Sequence, residues 1–174
     1  MKTDVAGRVK NTSLAEDKGL LPVYEAIVNS IQAIKDANER TGRIQIVIAR
    51  DDKHLLVKQD ASAGEILGFD IIDNGIGFTN ENFHAFNTAD TTYKAKRGGK
   101  GVGRFLWLKA FEKVEVESHY KHDQKMMSRR FEFVAEGEGV RNESRPACTE
   151  KKRQTTVRLR GFRSKYQEQC SKKP

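Results

Sequence analysis

Residues 66–78 read ILGFDIIDNGIGF and give the strongest indication of the fold. The first part, 66–73, is a short and largely apolar run, which predicts a central strand of a sheet. The segment NGIG follows at 74–77, and residues of these types favour a turn or loop. The sequence therefore predicts a strand that ends at Asp73, with a loop that begins at its carboxyl end.

The glycines of this loop, Gly75 and Gly77, suggest that it contacts a ligand. Glycine has no Cβ, so the backbone can approach a flat molecule closely. The Asp73 carboxylate can then accept a hydrogen bond from that molecule, and an adenine amino group is a suitable donor. The alternative is an ordinary Asp-Asn-Gly turn, because this tripeptide is also common in hairpins.

Upstream, residues 20–38 predict a helix, because their apolar side chains fall largely three and four positions apart. Pro22 suits its first turn. Glu25 and Asn29 are four positions apart, so both side chains project from one face of the helix. Asn29 can hold a magnesium ion and Glu25 can polarise a water. In the alternative interpretation, Glu25 simply lies on the exposed face of the helix.

Downstream, glycines surround Lys100 immediately before residues 101–111, which predict a second helix. Backbone amides at the positive end of a helix bind phosphate oxygens, and a lysine adds charge. The predicted phosphate-binding residues are Gly99, Lys100, Gly101, Val102 and Gly103. The segment matches neither the Walker pattern nor the dinucleotide-binding fingerprint. The polar stretch 88–100 predicts a mobile lid.

The rest of the chain predicts a sheet. Residues 43–50 alternate as a half-buried strand does, 55–59 predict a short partner strand, and 83–86 predict a short helix. Three later segments also alternate and predict a final meander, at 113–120, 129–136 and 155–162. We expect one domain over residues 1–162. Residues 163–174 show no pattern and predict a tail or the start of a further region.

The composition is that of a globular protein, since 37% of the 174 residues are apolar and 32% are charged. No apolar run approaches the ~20 residues that cross a bilayer, and the N-terminus lacks a secretion signal, so we expect a cytoplasmic location and no membrane partner. Cys148 and Cys170 form no metal-binding or disulfide pattern. The net charge of +8 fits a polyphosphate ligand, a nucleic acid or a solvated surface.

In combination, three of these segments resemble the GHKL superfamily of ATPases, which contains gyrase, the heat-shock chaperones, the histidine kinases and MutL. The similar segments are YEAIVNSIQA at 24–33, DNGIGF at 73–78 and GKGVG at 99–103. The resemblance covers about residues 20–111. It implies an α/β fold of the Bergerat type, a two-layer sandwich with helices on one face of a mixed, mostly antiparallel sheet.

The resemblance also implies a role for each residue. Glu25 would be the general base for water, Asn29 the magnesium ligand and Asp73 the adenine anchor. Gly75 and Gly77 would border the nucleotide, with Gly77 permitting close approach to the base. The implied cofactors are therefore ATP and magnesium.

Two further roles follow from the resemblance, with two departures from the family pattern. The loop 99–103 would bind phosphates and act as the hinge of the lid, and Thr156 or Thr155 in the last strand would bind adenine through a water. Gln32 stands where several relatives carry an aspartate, which would alter the solvent near the adenine. In the gyrase and MutL branches a lysine from a following transducer domain reaches the γ-phosphate. We expect this chain to stop before any such domain, so hydrolysis by this chain alone would be slow.

The expected function is magnesium-dependent binding and hydrolysis of ATP, with lid closure coupled to dimerisation or rearrangement of a larger protein. The expected partners are ATP, a second copy of the chain when ATP is bound, and nucleic acid. One alternative is a nucleotide-gated module that binds nucleic acid or protein. Another is the catalytic domain of a sensor kinase, although none of the four histidines lies in a helical hairpin that could carry the phosphate.

Overall fold

The computed structural model of the chain describes residues 4–51, 64–88 and 103–170. Its strands are β1 (Ile44–Arg50), β2 (Ile66–Asp73), β3 (Phe111–His122), β4 (Lys125–Val134), β5 (Val140–Ser144) and β6 (Gln154–Phe162). Its α-helices are α1 (Val5–Asn11), α2 (Leu21–Asp36), α3 (Asn80–Asn87), α4 (Gly103–Ala110) and α5 (Ser164–Cys170). A 3-10 turn, Glu16–Lys18, lies between α1 and α2. The chain is thus α/β, as expected.

The described strands form one six-stranded sheet in the order β1-β2-β6-β3-β4-β5. Every pair of neighbouring strands is antiparallel, so the sheet is not mixed. The meander expected from the segments 113–120, 129–136 and 155–162 is wrong in its last step. Strand β4 follows β3 as expected, but the next strand beside β4 is β5, which the sequence did not predict. Instead β6 returns to the middle of the sheet and pairs with both β2 and β3. Its Val157 and Leu159 are buried, as a central position requires.

Side chains alternate between two faces of the sheet. On the helix face, which α2, α3 and α4 cover, the strands present buried apolar residues such as Ile71, Val116 and Leu159. On the opposite face, called the far face here, they present charged residues such as Asp70 and Glu117. The hydrophobic core therefore lies between the sheet and the helices. It is rich in aromatic contacts, which contribute much of the buried apolar surface of this two-layer sandwich.

Helices α1 and α3 begin where the local sequence provides a side-chain cap. The side chain of Asp4 accepts a hydrogen bond from the Gly7 amide at the start of α1, at 3.0 Å. The hydroxyl of Thr79 accepts one from the Asn82 amide at the start of α3, at 3.2 Å. Both contacts satisfy amides that lack a partner in the first turn of a helix. At the other end of α1, the Lys109 ammonium of α4 donates to two carbonyl oxygens, which stabilises that terminus.

Residues 164–170 differ from the expected tail without structure, because they form α5. Tyr166 has no exposed surface, and its hydroxyl donates a hydrogen bond to the Leu14 carbonyl oxygen at 3.3 Å. Gln167 donates to the carbonyl oxygen of Ile66 at 2.9 Å. The helix was not predicted because a single buried aromatic residue gives too weak a periodicity.

Two predictions fall on parts of the chain outside the described residues. They are the short strand at 55–59 and most of the lid at 88–100. The helix predicted at 101–111 is described from Gly103 to Ala110, and Phe111 already belongs to β3. None of the helices in the described ranges is long and apolar enough to cross a membrane.

Candidate functional site

Asp73 lies at the end of β2, on the helix face, and is 5% exposed. One carboxylate oxygen, Oδ2, accepts a hydrogen bond from the Ser30 hydroxyl of α2, and Oδ1 accepts one from the Gly75 amide, both at 2.8 Å. Burial raises the pKa of the Asp73 carboxyl, although these two hydrogen bonds act in the opposite direction. The carboxylate is thus held in one orientation between α2 and the glycine loop.

The loop 74–79 folds back over the sheet, and both of its glycines are needed for this path. A Cβ on Gly75 would come within 2.6 Å of the Ala33 backbone, and the next amide, that of Ile76, donates to the Ala33 carbonyl oxygen at 2.9 Å. Gly77 has a φ of +77°, and a Cβ at this position would lie only 2.7 Å from Ser118 Oγ. A larger residue would therefore push the loop away from α2 and from the sheet.

The two candidate threonines lie on opposite faces of the sheet. Thr155 is opposite Asp73 in the register of β2 and β6, so both side chains are on the helix face. Its hydroxyl lies 2.9 Å from the Ser118 hydroxyl, and Ser118 Oγ accepts a hydrogen bond from the Phe78 amide at 2.9 Å. Thr156 is opposite Ile72 and lies on the far face. The fold therefore places Thr155, rather than Thr156, beside Asp73.

Arg129 of β4 is a further residue of this region that sequence reasoning did not identify. Its side chain has no exposed surface. It donates hydrogen bonds to the carbonyl oxygens of Phe78 and Thr79, at 2.7 and 2.9 Å, and to Asn80 Oδ1 at 2.7 Å. Burial lowers the pKa of this guanidinium, and Glu143 Oε1 lies 3.3 Å from its Nε. Arg129 thus fastens the end of the glycine loop to the sheet.

Glu25 lies at the opposite end of the site, where α2 meets the first residue of α4. A Cβ on Gly103 would collide with the Glu25 carboxylate, so the absence of a side chain at Gly103 makes room for it. Glu25 and Asn29 are both partly exposed, and neither forms a hydrogen bond or ion pair with another residue in the described ranges. A carboxylate at this end of a helix also interacts favourably with the helix dipole.

Helix α2 connects the two ends of the site. From Glu25, near the start of α4, to Ser30, which holds Asp73, the helix rises about 7.5 Å. Asn29 lies between them, one turn after Glu25. The other predicted phosphate-binding residues, 99–102, are outside the described residues.

The donors near α2 fit a magnesium ion only if a ligand completes its coordination. Within residues 4–51, 64–88 and 103–170, no group of three or more histidine, cysteine, aspartate or glutamate side chains could hold a metal ion. Magnesium usually keeps several waters and binds through one or two protein groups together with substrate phosphates. The Asn29 amide oxygen, with Glu25 one turn away, matches that sparse donor set.

Comparison with known proteins gives no family for this chain. No protein-family model matches the sequence, and a search of curated proteins finds no significant match.

Proposed function

We propose that this chain binds ATP with magnesium and hydrolyses it, and that closure of the lid over the nucleotide drives dimerisation or rearrangement of a larger protein. One observation carries the proposal. A single helix, α2, contacts Asp73 through Ser30 and brings Glu25 to the start of α4. Asp73, Glu25 and Gly103, one residue from each of the three segments that resemble the GHKL ATPases, thus lie along one helix.

Asp73 is suited to hold the adenine. An ionised carboxylate offers about four acceptor positions, and Ser30 and Gly75 use two of them. The remaining acceptors can receive the amino group of adenine. The paired hydroxyls of Thr155 and Ser118, on the same face of the sheet, can hold a water that bridges to the base. An acceptor this strongly oriented favours adenine over a base with a carbonyl group at the same position.

The start of α4 is suited to the phosphates. The N-terminal amides of a helix bind phosphate oxygens, and Glu25 lies beside Gly103, where it can accept the proton of an attacking water. Magnesium, bound by Asn29 and the phosphate oxygens, would neutralise part of the phosphate charge. Gly103 itself contributes by letting the Glu25 carboxylate approach the helix start.

Binding is tested by calorimetric titration with a non-hydrolysable ATP analogue and magnesium. We expect wild type to bind, and Asp73→Asn to lose about 2 kcal/mol, or about thirtyfold in affinity, because a hydrogen bond to a charged group is lost. Asp70→Asn is the matched control, since Asp70 lies on the same strand but on the far face. Equal weakening in both variants, or no binding by wild type, would contradict the proposal.

Hydrolysis is tested separately with Glu25→Gln, which keeps the size of the side chain but removes the base. We expect turnover to fall by at least about a hundredfold, while the analogue still binds with nearly unchanged affinity. Unchanged turnover would show that Glu25 is not the base. If wild type binds the analogue but neither protein hydrolyses ATP, the chain is a nucleotide-gated binding module instead.

A further inference from the structure

A second cluster of reactive side chains lies on the far face, away from the candidate nucleotide site. The connection from β5 to β6 places Cys148 beside His119 of β3, with 3.6 Å between Cys148 Sγ and His119 Nδ1. The other ring nitrogen, His119 Nε2, lies 3.7 Å from Glu117 Oε1. A thiol, an imidazole and a carboxylate in this order are the arrangement that activates a nucleophilic cysteine.

Glu117 is ionised in this cluster and can orient the imidazole. Partial burial would raise the pKa of Glu117, but hydrogen bonds from Arg130 and Arg158 outweigh it and hold the pKa below its ordinary value. The Glu117 carboxylate faces Nε2 of the His119 ring. It also leaves Nδ1, the nitrogen on the opposite side of the ring, facing the thiol of Cys148.

Ser128 provides a second, independent observation. It is opposite His119 in the register of β3 and β4, so both side chains lie on the far face. Ser128 is 2% exposed, and its hydroxyl has no hydrogen-bond partner among the described residues. A buried hydroxyl without a partner is uncommon. A molecule bound beside His119 would supply the partner that this hydroxyl lacks among the described residues.

The surroundings of Cys148 leave the thiol accessible. Cys148 is partly exposed and His119 is 14% exposed at its side chain. Burial raises the pKa of the thiol of the second cysteine, Cys170.

We propose that Cys148 is a nucleophilic thiol that forms a mixed disulfide with a small disulfide, with His119 as its base. His119 Nδ1 takes the thiol proton, and the Cys148 thiolate attacks one sulfur of the small disulfide. The sulfur–sulfur bond of the small molecule breaks while a new bond forms to Cys148. The leaving thiolate takes the proton from His119, so a thiol is released and no other oxidant is required. This site is independent of the proposed ATP hydrolysis.

The proposal is tested with the whole chain at pH 7, using iodoacetamide in one series and oxidised glutathione in another. Mass spectrometry of the digested protein gives the rate at each cysteine. We expect Cys148 to react about tenfold faster than Cys170, and His119→Gln to slow Cys148 about tenfold, because an unassisted thiol is only a few per cent ionised at this pH. The rate at Cys170 should not change, which shows that the variant is folded.

The glutathione series should give a mixed disulfide at Cys148 in wild type and much less in His119→Gln. Ser128→Ala should accumulate less of the glutathione adduct than wild type. Equal rates at the two cysteines in wild type would overturn the proposal. So would a rate at Cys148 that does not change in His119→Gln while Cys170 stays slow.

Discussion

The two faces of the same sheet use polar residues in different ways. On the helix face, polar side chains such as Ser118, Arg129 and Thr155 are buried, and each has a defined partner. On the far face, charged side chains form ion pairs that remain partly exposed, as Glu117 does with Arg130 and Arg158. Neighbours in sequence therefore have different environments.

This difference determines what a substitution costs. Removing one member of a buried network leaves its partner without a hydrogen bond in a place that water does not reach, which costs the full desolvation of that partner. Removing one member of an exposed ion pair leaves the partner in water, and such pairs contribute little to stability. The same substitution at two adjacent residues, one on each face, therefore compares a buried network with an exposed ion pair.

The largest contrast is expected between Arg129 and Arg130. Arg129→Met removes a fully buried guanidinium that holds the carbonyl oxygens of Phe78 and Thr79, and we expect it to lower the free energy of unfolding by about 3–5 kcal/mol. Arg130→Met breaks an ion pair whose arginine side chain is 57% exposed, and we expect a loss below about 1 kcal/mol. Urea unfolding of the two variants measures the difference.

Arg129→Lys sharpens this comparison. Lysine keeps the charge but cannot donate to three oxygens in the plane of a guanidinium, so this variant should also be clearly less stable than wild type. Similar losses for Arg129→Met and Arg130→Met would contradict the distinction between the two faces.

The next contrast concerns Gly103 and Glu25. Gly103→Ala should lower the free energy of unfolding by no more than about 1 kcal/mol, because the new methyl group displaces the Glu25 carboxylate, which is the end of a flexible side chain. In a Glu25→Ala background the same substitution should be neutral or slightly stabilising, since alanine favours a helix more than glycine does. Thermal or urea unfolding of the double-mutant cycle gives the coupling. An equal cost in both backgrounds would show that the two residues are not in contact.

Local patterns predict the elements of the fold that depend on local sequence. The expected helix at 20–38 and strand at 66–73 agree with α2 and β2 to within two residues, because their apolar spacing is regular and glycine or proline marks their ends. The central position of β6 could not be predicted in this way. Strand order depends on pairing between distant segments, which alternation within one strand does not specify.

The candidate site, like the fold, could be predicted only where it depends on local sequence. The order of the motifs predicts Asp73, Glu25 and Gly103 as site residues, and α2 contacts Asp73 through Ser30 and Gly103 through Glu25. The sequence leaves open which threonine faces Asp73, because that depends on the register between β2 and β6. Arg129 is 50 residues from Thr79, its partner. The sequence marks Arg129 as unusual in one way, because alternation with Phe131 and Phe133 predicts an apolar residue at this position of β4.

Another contrast is expected between Thr155 and Thr156. Ser118 Oγ already accepts a hydrogen bond from the Phe78 amide, so its own proton is available for Thr155. Thr155→Val leaves that proton without an acceptor and should cost about 1–2 kcal/mol of stability, together with some affinity for the ATP analogue. Thr156 is also buried, but on the far face, and Thr156→Val leaves no such proton behind, so it should change the stability by less than about 1 kcal/mol.

Urea unfolding and calorimetric titration measure both effects. A loss of nucleotide affinity in Thr156→Val, with none in Thr155→Val, would show that the far face carries the nucleotide. Valine has nearly the shape of threonine, so the comparison isolates the two hydroxyl groups.

The smallest effect is a difference in pH dependence between Asp73 and Glu117. Burial raises the pKa of Asp73. Above the ordinary carboxyl value of about 4, the folded chain therefore retains a proton that the unfolded chain has released. The stability of the fold then falls as the pH rises through the raised pKa. The pKa of Glu117 is lowered, because its arginine hydrogen bonds outweigh burial. Its contribution is complete above the ordinary value and is lost as the pH falls through the lowered pKa.

The two substitutions should therefore change stability in opposite directions and in different pH windows. Relative to wild type, Asp73→Asn should gain stability as the pH rises above about 4, while Glu117→Gln should lose stability as the pH rises towards about 4 from below. Urea unfolding at intervals from pH 2.5 to 7 would separate the windows. If stability changed in the same direction in both variants, one of the two carboxylates would not have the surroundings described above. Asp73 is enclosed by Ser30 and Gly75, so opening of the loop 74–79 would be the first explanation to examine.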